Sequence, residues 1–287
     1  MRILVTNDDG VRAPGIAALA KAAAGTGHDV VVVAPREDYS GAGAAVGPVH
    51  QREGVAYETH ALEGLDGTPA FGIDGPPALA VILACVGAFG ARPDAVVSGI
   101  NLGANVGRSA MHSGTIGAAL TGAHFGLRAL AVSTVFGSET VHWETAADLA
   151  ATLVPVLASA PAGTVWNLNV PNVAPGGLPG VLHGKLGRTG TIRSAVQSSG
   201  QAGEGKPVVA LGPGSKGMVR LEIALPGMGA TAAPSPDDDS SDAAVLSRGY
   251  ASLTALVGVH EAGEDATPGI ELALAAMESA IARASAR

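Results

Sequence analysis

The sequence predicts an α/β fold: a doubly wound, mostly parallel sheet followed by a C-terminal arm. Three observations predict it. Short apolar runs at residues 3–5, 30–33, 95–97, 129–134 and 164–170 alternate with helical patterns, as strands covered on both faces do. The first strand, helix and strand fit within about 34 residues, the span of one compact βαβ unit. Beyond residue 175 the alternation stops, and Gly and Pro become dense.

The first strand stops at Thr6-Asn7-Asp8-Asp9-Gly10. A helix opens at Pro14, where the missing N–H costs nothing, and runs to a stop at Gly25-Thr26-Gly27. Asp8 and Asp9 therefore sit at the carboxyl end of the first strand, the edge where open α/β sheets bind ligands. Two adjacent anions require a metal, basic partners or solvent. Arg2 and Arg12 are the near cations in sequence, and a hard divalent ion is the most economical partner for paired carboxylates. The second strand ends in Ala34-Pro35-Arg36-Glu37-Asp38-Tyr39-Ser40-Gly41. Parallel strands point the same way, so Ser40 leaves from the rim that carries Asp8 and Asp9.

The glycines at 41, 43 and 47 lack the G-x-G-x-x-G spacing and do not follow the first strand, so a dinucleotide fingerprint is rejected. Residues 55–62 alternate like a half-exposed strand, 67–70 read as a turn, and 76–88 as an apolar helix. The strand at 95–97 ends in Ser98-Gly99-Ile100-Asn101-Leu102-Gly103-Ala104-Asn105. Asn101 and Asn105 each offer a carbonyl oxygen or an amide donor there. Ser113 or Thr115 caps the next helix, whose N-terminus with Gly114 is also a phosphate cradle. An amphipathic helix at 144–158 separates the last two core strands. Together these elements make one doubly wound, Rossmann-like sheet. Residues 208–211 and 218–225 look strand-like, 234–242 reads as a solvated acidic linker, 250–257 as a short strand, and 268–284 as a terminal helix. The expected organisation is a catalytic core at 1–175 and an extension at 176–287.

Composition narrows the function. Of 287 residues, 47% are apolar, enough for a full core, and the formal net charge is −8. An acidic chain argues against a broad nucleic-acid surface. The single cysteine, Cys85, forms no disulfide within one chain. No apolar run reaches the roughly 20 residues of a membrane span, and the first residues read as a core strand rather than a signal peptide. A cytoplasmic protein is expected.

The ordered set Asn7-Asp8-Asp9-Gly10, Ala13-Pro14-Gly15, Ala34-Pro35 with Ser40-Gly41, Ser98-Gly99-Ile100-Asn101 with Asn105, and Ser113-Gly114-Thr115 resembles the SurE family of survival-protein nucleotidases. Asn169-Val170-Pro171 and Gly249-Tyr250 with Ser252 extend the resemblance. It implies a metal-dependent phosphomonoesterase acting on nucleoside 5′- and 3′-monophosphates. It implies Asp8, Asp9, Ser40 and Asn101 as ligands of one Mg²⁺ or Mn²⁺ per subunit, with Asn105, Ser113, Gly114 and Thr115 around the phosphate. It also implies a homodimer or homotetramer whose C-terminal oligomerisation arm exchanges between subunits. Departures from the family pattern fall at Gly43, His112, Ala255 and residues 53–78, outside the ligand set.

On this reading Asp8, Asp9, Asn105 and Ser113 carry catalysis by direct hydrolysis. Asp8 or Asp9 takes a proton from water, or Asp8 attacks as a nucleophile, and His112 is either a general acid or a surface residue. A zinc site lacks its Cys and His ligands, and a serine hydrolase lacks its G-x-S-x-G elbow. Two rivals stay open: a phosphatase of the same mechanism for another phosphorylated metabolite or short polyphosphate, and a nucleotide-binding protein without turnover.

Overall fold

The computed structural model describes residues 1–51, 53–137, 140–188, 194–197, 220–223, 239–259 and 277. The chain divides into two compact units, Met1–Leu256 and Val257–Arg287. In the first unit the strands and helices follow in the order β1 (Arg2–Thr6), α1 (Pro14–Gly25), β2 (Asp29–Pro35), β3 (Tyr57–His60), β4 (Ala70–Ile73), α2 (Pro77–Cys85), β5 (Ala95–Leu102), α3 (Gly114–His124), β6 (Arg128–Thr134), α4 (Trp143–Ser159), β7 (Val165–Val170), β8 (Val181–His183), β9 (Ser194–Gln197), β10 (Arg220–Ile223), α5 (Asp242–Ser247) and β11 (Ala251–Leu256).

Nine strands form one sheet in the order β3-β4-β2-β1-β5-β6-β7-β11-β8. The pairs from β4 to β7 are parallel. Antiparallel pairing enters at β3 on one side and at β11 on the other. The alternation of side chains explains why the runs are apolar throughout. Ile3 and Val5 face the cluster under α1 and α4, whereas Leu4 faces the cluster under α2 and α3. Each such buried side chain contributes about 1.5–3 kcal/mol. The chain leaves β1 toward β2 and later returns to its other side at β5. The strand order thus reverses between β1 and β5, which opens a crevice at their carboxyl ends.

Two glycines let the backbone close around that crevice. A Cβ on Gly15 would lie 2.1 Å from the Ile100 carbonyl oxygen, and one on Gly99 (φ +137°) 2.2 Å from the Val132 carbonyl oxygen. Only glycine permits these approaches. Beside Gly99 the register of β5 against β6 shifts between Ser98 and Asn101, and such a bulge re-aims the side chains that follow it.

The doubly wound sheet expected from the sequence is present, with three differences. Residues 70–73, which begin at the last residue of the expected turn, form β4, buried between β3 and β2. Residues 242–247, adjoining the expected acidic linker, form α5, capped by the Ser241 hydroxyl accepting from the Ala244 N–H. Beyond the expected boundary at 175, β11 pairs with β7 along five residues and with β8 on its other side. The sheet therefore extends past that boundary. The strand-like segment at 208–211 lies outside the described residues, and of 218–225 only β10 is described, antiparallel to β9. Of the second unit, residues 257–259 and Met277 are described, and Met277 is helical. The rest of the helix expected at 268–284 lies outside the described residues. Among the described residues, no helix is long and apolar enough to cross a membrane.

Candidate active site

The turn after β1 is built by Asn7. Its side-chain amide donates to the Gly10 carbonyl at 3.0 Å, and its Oδ1 accepts from the Gly10 N–H at 3.2 Å. Gly10 closes the turn at φ +104°, a conformation glycine supplies without strain. Between these two residues Asp8 and Asp9 are presented at the β1/β5 crevice.

Asp8 is 3% exposed. Its Oδ1 accepts from the Thr115 hydroxyl at 2.6 Å, so the first turn of α3 grips it directly. Gly114 makes room: a Cβ there would lie 2.7 Å from Asp8 Cβ and 2.8 Å from Asp8 Oδ2. The Tyr39 N–H donates to the Asp8 carbonyl at 2.8 Å, tying the β2 loop to the same spot. Asp9 Oδ2 is buried with no hydrogen-bond partner among the described residues. Such an orphan costs about 1–3 kcal/mol and calls for an explanation.

Burial pushes the Asp8 carboxyl above its ordinary range, partly offset by hydrogen bonds from Thr115. Burial, then the charges of Asp8 and Asp38, push Asp9 up to about 7. The near cations in sequence are engaged elsewhere: Arg2 pairs with Asp29 at 2.5 Å, and Arg12 with Glu58 at 3.3 Å. The consequence for stability has a definite sign. Between about pH 4 and 7 the folded, metal-free chain keeps a proton on Asp9 that the unfolded chain releases. The stability of the metal-free protein therefore falls as pH rises through that window, by up to roughly 4 kcal/mol. Asp9→Asn is expected to flatten this slope in urea titrations run in EDTA at about pH 4.5 and 7.5. An equal slope in both proteins would contradict the assignment.

The other expected site residues have different immediate partners. Ser40 is exposed, and its N–H and hydroxyl both donate to Asp38 Oδ1 at 2.7 Å. The loop that carries Asp38 and Ser40 is tied to Asp8 through the Tyr39 N–H. Asn101 commits its amide nitrogen to the Gly103 carbonyl at 2.6 Å, which leaves Oδ1 as its ligand-ready atom. Asn105 donates to the Ser133 hydroxyl at 2.9 Å, and its N–H donates to Asn169 Oδ1 at 2.7 Å. Its carbonyl accepts from both Asn167 and Asn169. Ser113 caps α3 by accepting from the Ile116 N–H at 3.2 Å. His112 is exposed; its carbonyl accepts from the Gly43 N–H.

Two supports carry no clear signal as site residues in the sequence. Asn167 and Asn169, both fully buried on β7, hold Asn105. Asp242, also fully buried, accepts from the Gly107 N–H at 2.8 Å and the Gly187 N–H at 3.0 Å. The one available hint is local: a Ser-Asp pair before Ala-Ala-Val-Leu is a helix start.

Among the described residues, no three His, Cys, Asp or Glu side chains form a metal-binding group. Beyond the Asp8–Asp9 pair, the expected set adds the Asn101 amide oxygen and the Ser40 hydroxyl, and Asp38 stands beside Ser40. Oxygen donors with excess negative charge and an orphaned carboxylate oxygen suit a hard divalent cation, so the residues fit such an ion.

Residues 3–192 match the family model for survival protein SurE. The chain belongs to the SurE family. Its SurE relatives include the 5′-nucleotidase SurE of Chloroflexus aggregans, 37% identical over 260 residues, 88% of this chain and 92% of that protein. The 5′-nucleotidase SurE of Xanthomonas campestris pv. campestris strain B100 is 40% identical over 219 residues, 74% of this chain and 79% of that one. Among solved structures, the SurE protein from Aquifex aeolicus superposes with a TM-score of 0.70 at 26% identity, over 95% of this chain and 99% of that one.

Proposed function

We propose that this SurE-family chain is a divalent-metal-dependent phosphomonoesterase that hydrolyses nucleoside 5′- and 3′-monophosphates to nucleoside and phosphate. The observation that carries it is the carboxylate pair Asp8–Asp9 beside the N-terminus of α3 at the β1/β5 crevice, with Asp8 buried and the Asp9 Oδ2 atom buried without a partner among the described residues. Relatives named 5′-nucleotidase support the substrate class.

Asp8, Asp9, Ser40 and Asn101 would hold one Mg²⁺ or Mn²⁺. When bound, the ion supplies countercharge and Lewis-acid stabilisation of the phosphoryl group. The residues divide the remaining work. Thr115 fixes the Asp8 carboxylate, so its hydroxyl serves the phosphate indirectly. The open N–H end of α3 at Gly114, with the Ser113 hydroxyl, faces charge that grows on the phosphoryl oxygens. Asn105, locked by Ser133, Asn167 and Asn169, lines the same crevice without losing rotamer freedom on binding. To the Asp8–Asp9 pair we assign the proton of the attacking water.

The assembly proposed is a homodimer or homotetramer in which part of 176–287 exchanges. The exposed Val181 and Leu182 of the edge strand β8, with Leu186 beyond it, support it. The buried free thiol of Cys85 suits the reducing cytoplasm proposed for it.

The test is a panel of phosphomonoesters with and without EDTA. Phosphate release from nucleoside monophosphates is expected to fall to background in EDTA and to return with Mn²⁺ or Mg²⁺. Binding of nucleotides without any release in excess metal would overturn the reading.

A further inference from the structure

Beside the β2 loop lies a pocket of ≈ 200 Å³ whose walls include Tyr39, Val46, Pro48, Pro76 and Leu79. We propose that this pocket holds the nucleobase of the substrate, with Tyr39 as its stacking face. The proposal rests on the nucleotidase reading above and adds a subsite to it.

Position is the first argument. Tyr39 is bonded through its N–H to the carbonyl of Asp8 and immediately precedes Ser40. The opposite wall, Gly75 and Pro76, follows β4, which runs parallel to β2. Both walls thus stand on the carboxyl rim of the sheet, next to the carboxylates. A substrate with its phosphate at Asp8 and Asp9 would extend along this rim toward the pocket.

The second argument is that the pocket is already built. The loop that forms it turns on itself through Ala42 N–H to the Tyr39 carbonyl and Ala45 N–H to the Ala42 carbonyl. It is pinned to the next element through Gly43 N–H to the His112 carbonyl at 3.0 Å. It also rests on α3 so closely that a Cβ on Gly117 would lie 2.1 Å from the Gly43 carbonyl oxygen. The helix that grips Asp8 through Thr115 therefore also backs the pocket wall. A preformed pocket spends little binding energy on ordering itself.

The lining decides the ligand class. An aromatic ring, two prolines and aliphatic side chains take a flat ring system by stacking, and every base has a π face to offer. The volume is below that of pockets which enclose a drug-sized ligand. It suits a ring system whose sugar and phosphate stay outside. Among the described lining side chains only Tyr39 carries a hydrogen-bonding group. Weak discrimination between bases follows, because a site without polar readers separates isosteres poorly.

The test combines calorimetric titration of the full chain with adenosine, which has no phosphate, and kinetics on adenosine 5′-monophosphate and glycerol phosphate. Tyr39→Ala is expected to weaken adenosine binding, and to raise KM for the nucleotide, by about tenfold or more. The ratio of kcat/KM between nucleotide and glycerol phosphate falls by the same factor, while Tyr39→Phe restores it. Ala42→Leu, which fills the cavity from another wall, is expected to act like Tyr39→Ala. Unchanged adenosine affinity in both cavity variants, or an unchanged substrate ratio, would overturn the subsite and leave the phosphatase standing. Should the parent release phosphate from neither substrate, the nucleotidase reading fails, and the adenosine titration still decides the pocket.

Discussion

Asp8→Asn is expected to lower metal-dependent phosphate release by about a thousandfold or more while raising the stability of the metal-free protein. The two effects share one cause. Asp8 is buried beside Asp9, and its charge is penalised first by desolvation and further by Asp38. An isosteric amide removes that penalty, yet its oxygen still accepts from the Thr115 hydroxyl. The same change deletes a charged ligand that the reaction needs. Phosphate release with saturating Mn²⁺ and melting temperature in EDTA check the pair of effects. Lower activity with lower stability would make Asp8 a packing residue, and undiminished turnover would remove it from the site.

Asp242→Ala is expected to destabilise the protein by about 3 kcal/mol or more, because the N–H groups of Ala243 and of two distant residues lose a buried carboxylate acceptor. The distant groups belong to Gly107, two residues from Asn105, and to Gly187. A loosened Asn105 loop is expected to cost about a hundredfold in kcat, the scale of a small misplacement of a reacting group. Asp242→Asn keeps acceptor capacity and should recover part of both losses. Urea midpoints and kcat measured side by side are the check. A destabilised variant with parental kcat would confine Asp242 to a structural role.

The legible parts of the fold were those with a strong period. The runs that became β1, β2, β5, β6 and β7 are largely apolar because helices cover both faces of the sheet. β4 was illegible for a physical reason. It is four residues long, contains Gly72, and follows Pro69, so its composition is that of a turn while its burial comes from β2. β8 is exposed throughout, so no buried face imposes an apolar period on it. Asp242 misled in the other direction: an acidic, polar surrounding sequence reads as solvated, whereas the fold takes this one carboxylate inside to bind backbone.

The site shows the same division. Asp8, Asp9 and the α3 N-terminus were placed from strand ends and cap residues alone. The bond from Thr115 to Asp8 was not, since nothing in a linear spacing says which side chain a hydroxyl will meet 107 residues away. The grip of Asn167 and Asn169 on Asn105 was hidden similarly, because polar residues inside an apolar strand announce a partner without naming it.

The place of β11 has a consequence for synthesis. Val165–Val170 emerges long before Ala251–Leu256, the segment that covers its open edge. Until the ribosome reaches that segment, the nascent sheet exposes a row of unpaired amides and carbonyls to any neighbouring chain. Truncation before residue 251 should therefore yield an aggregating product rather than a smaller soluble one.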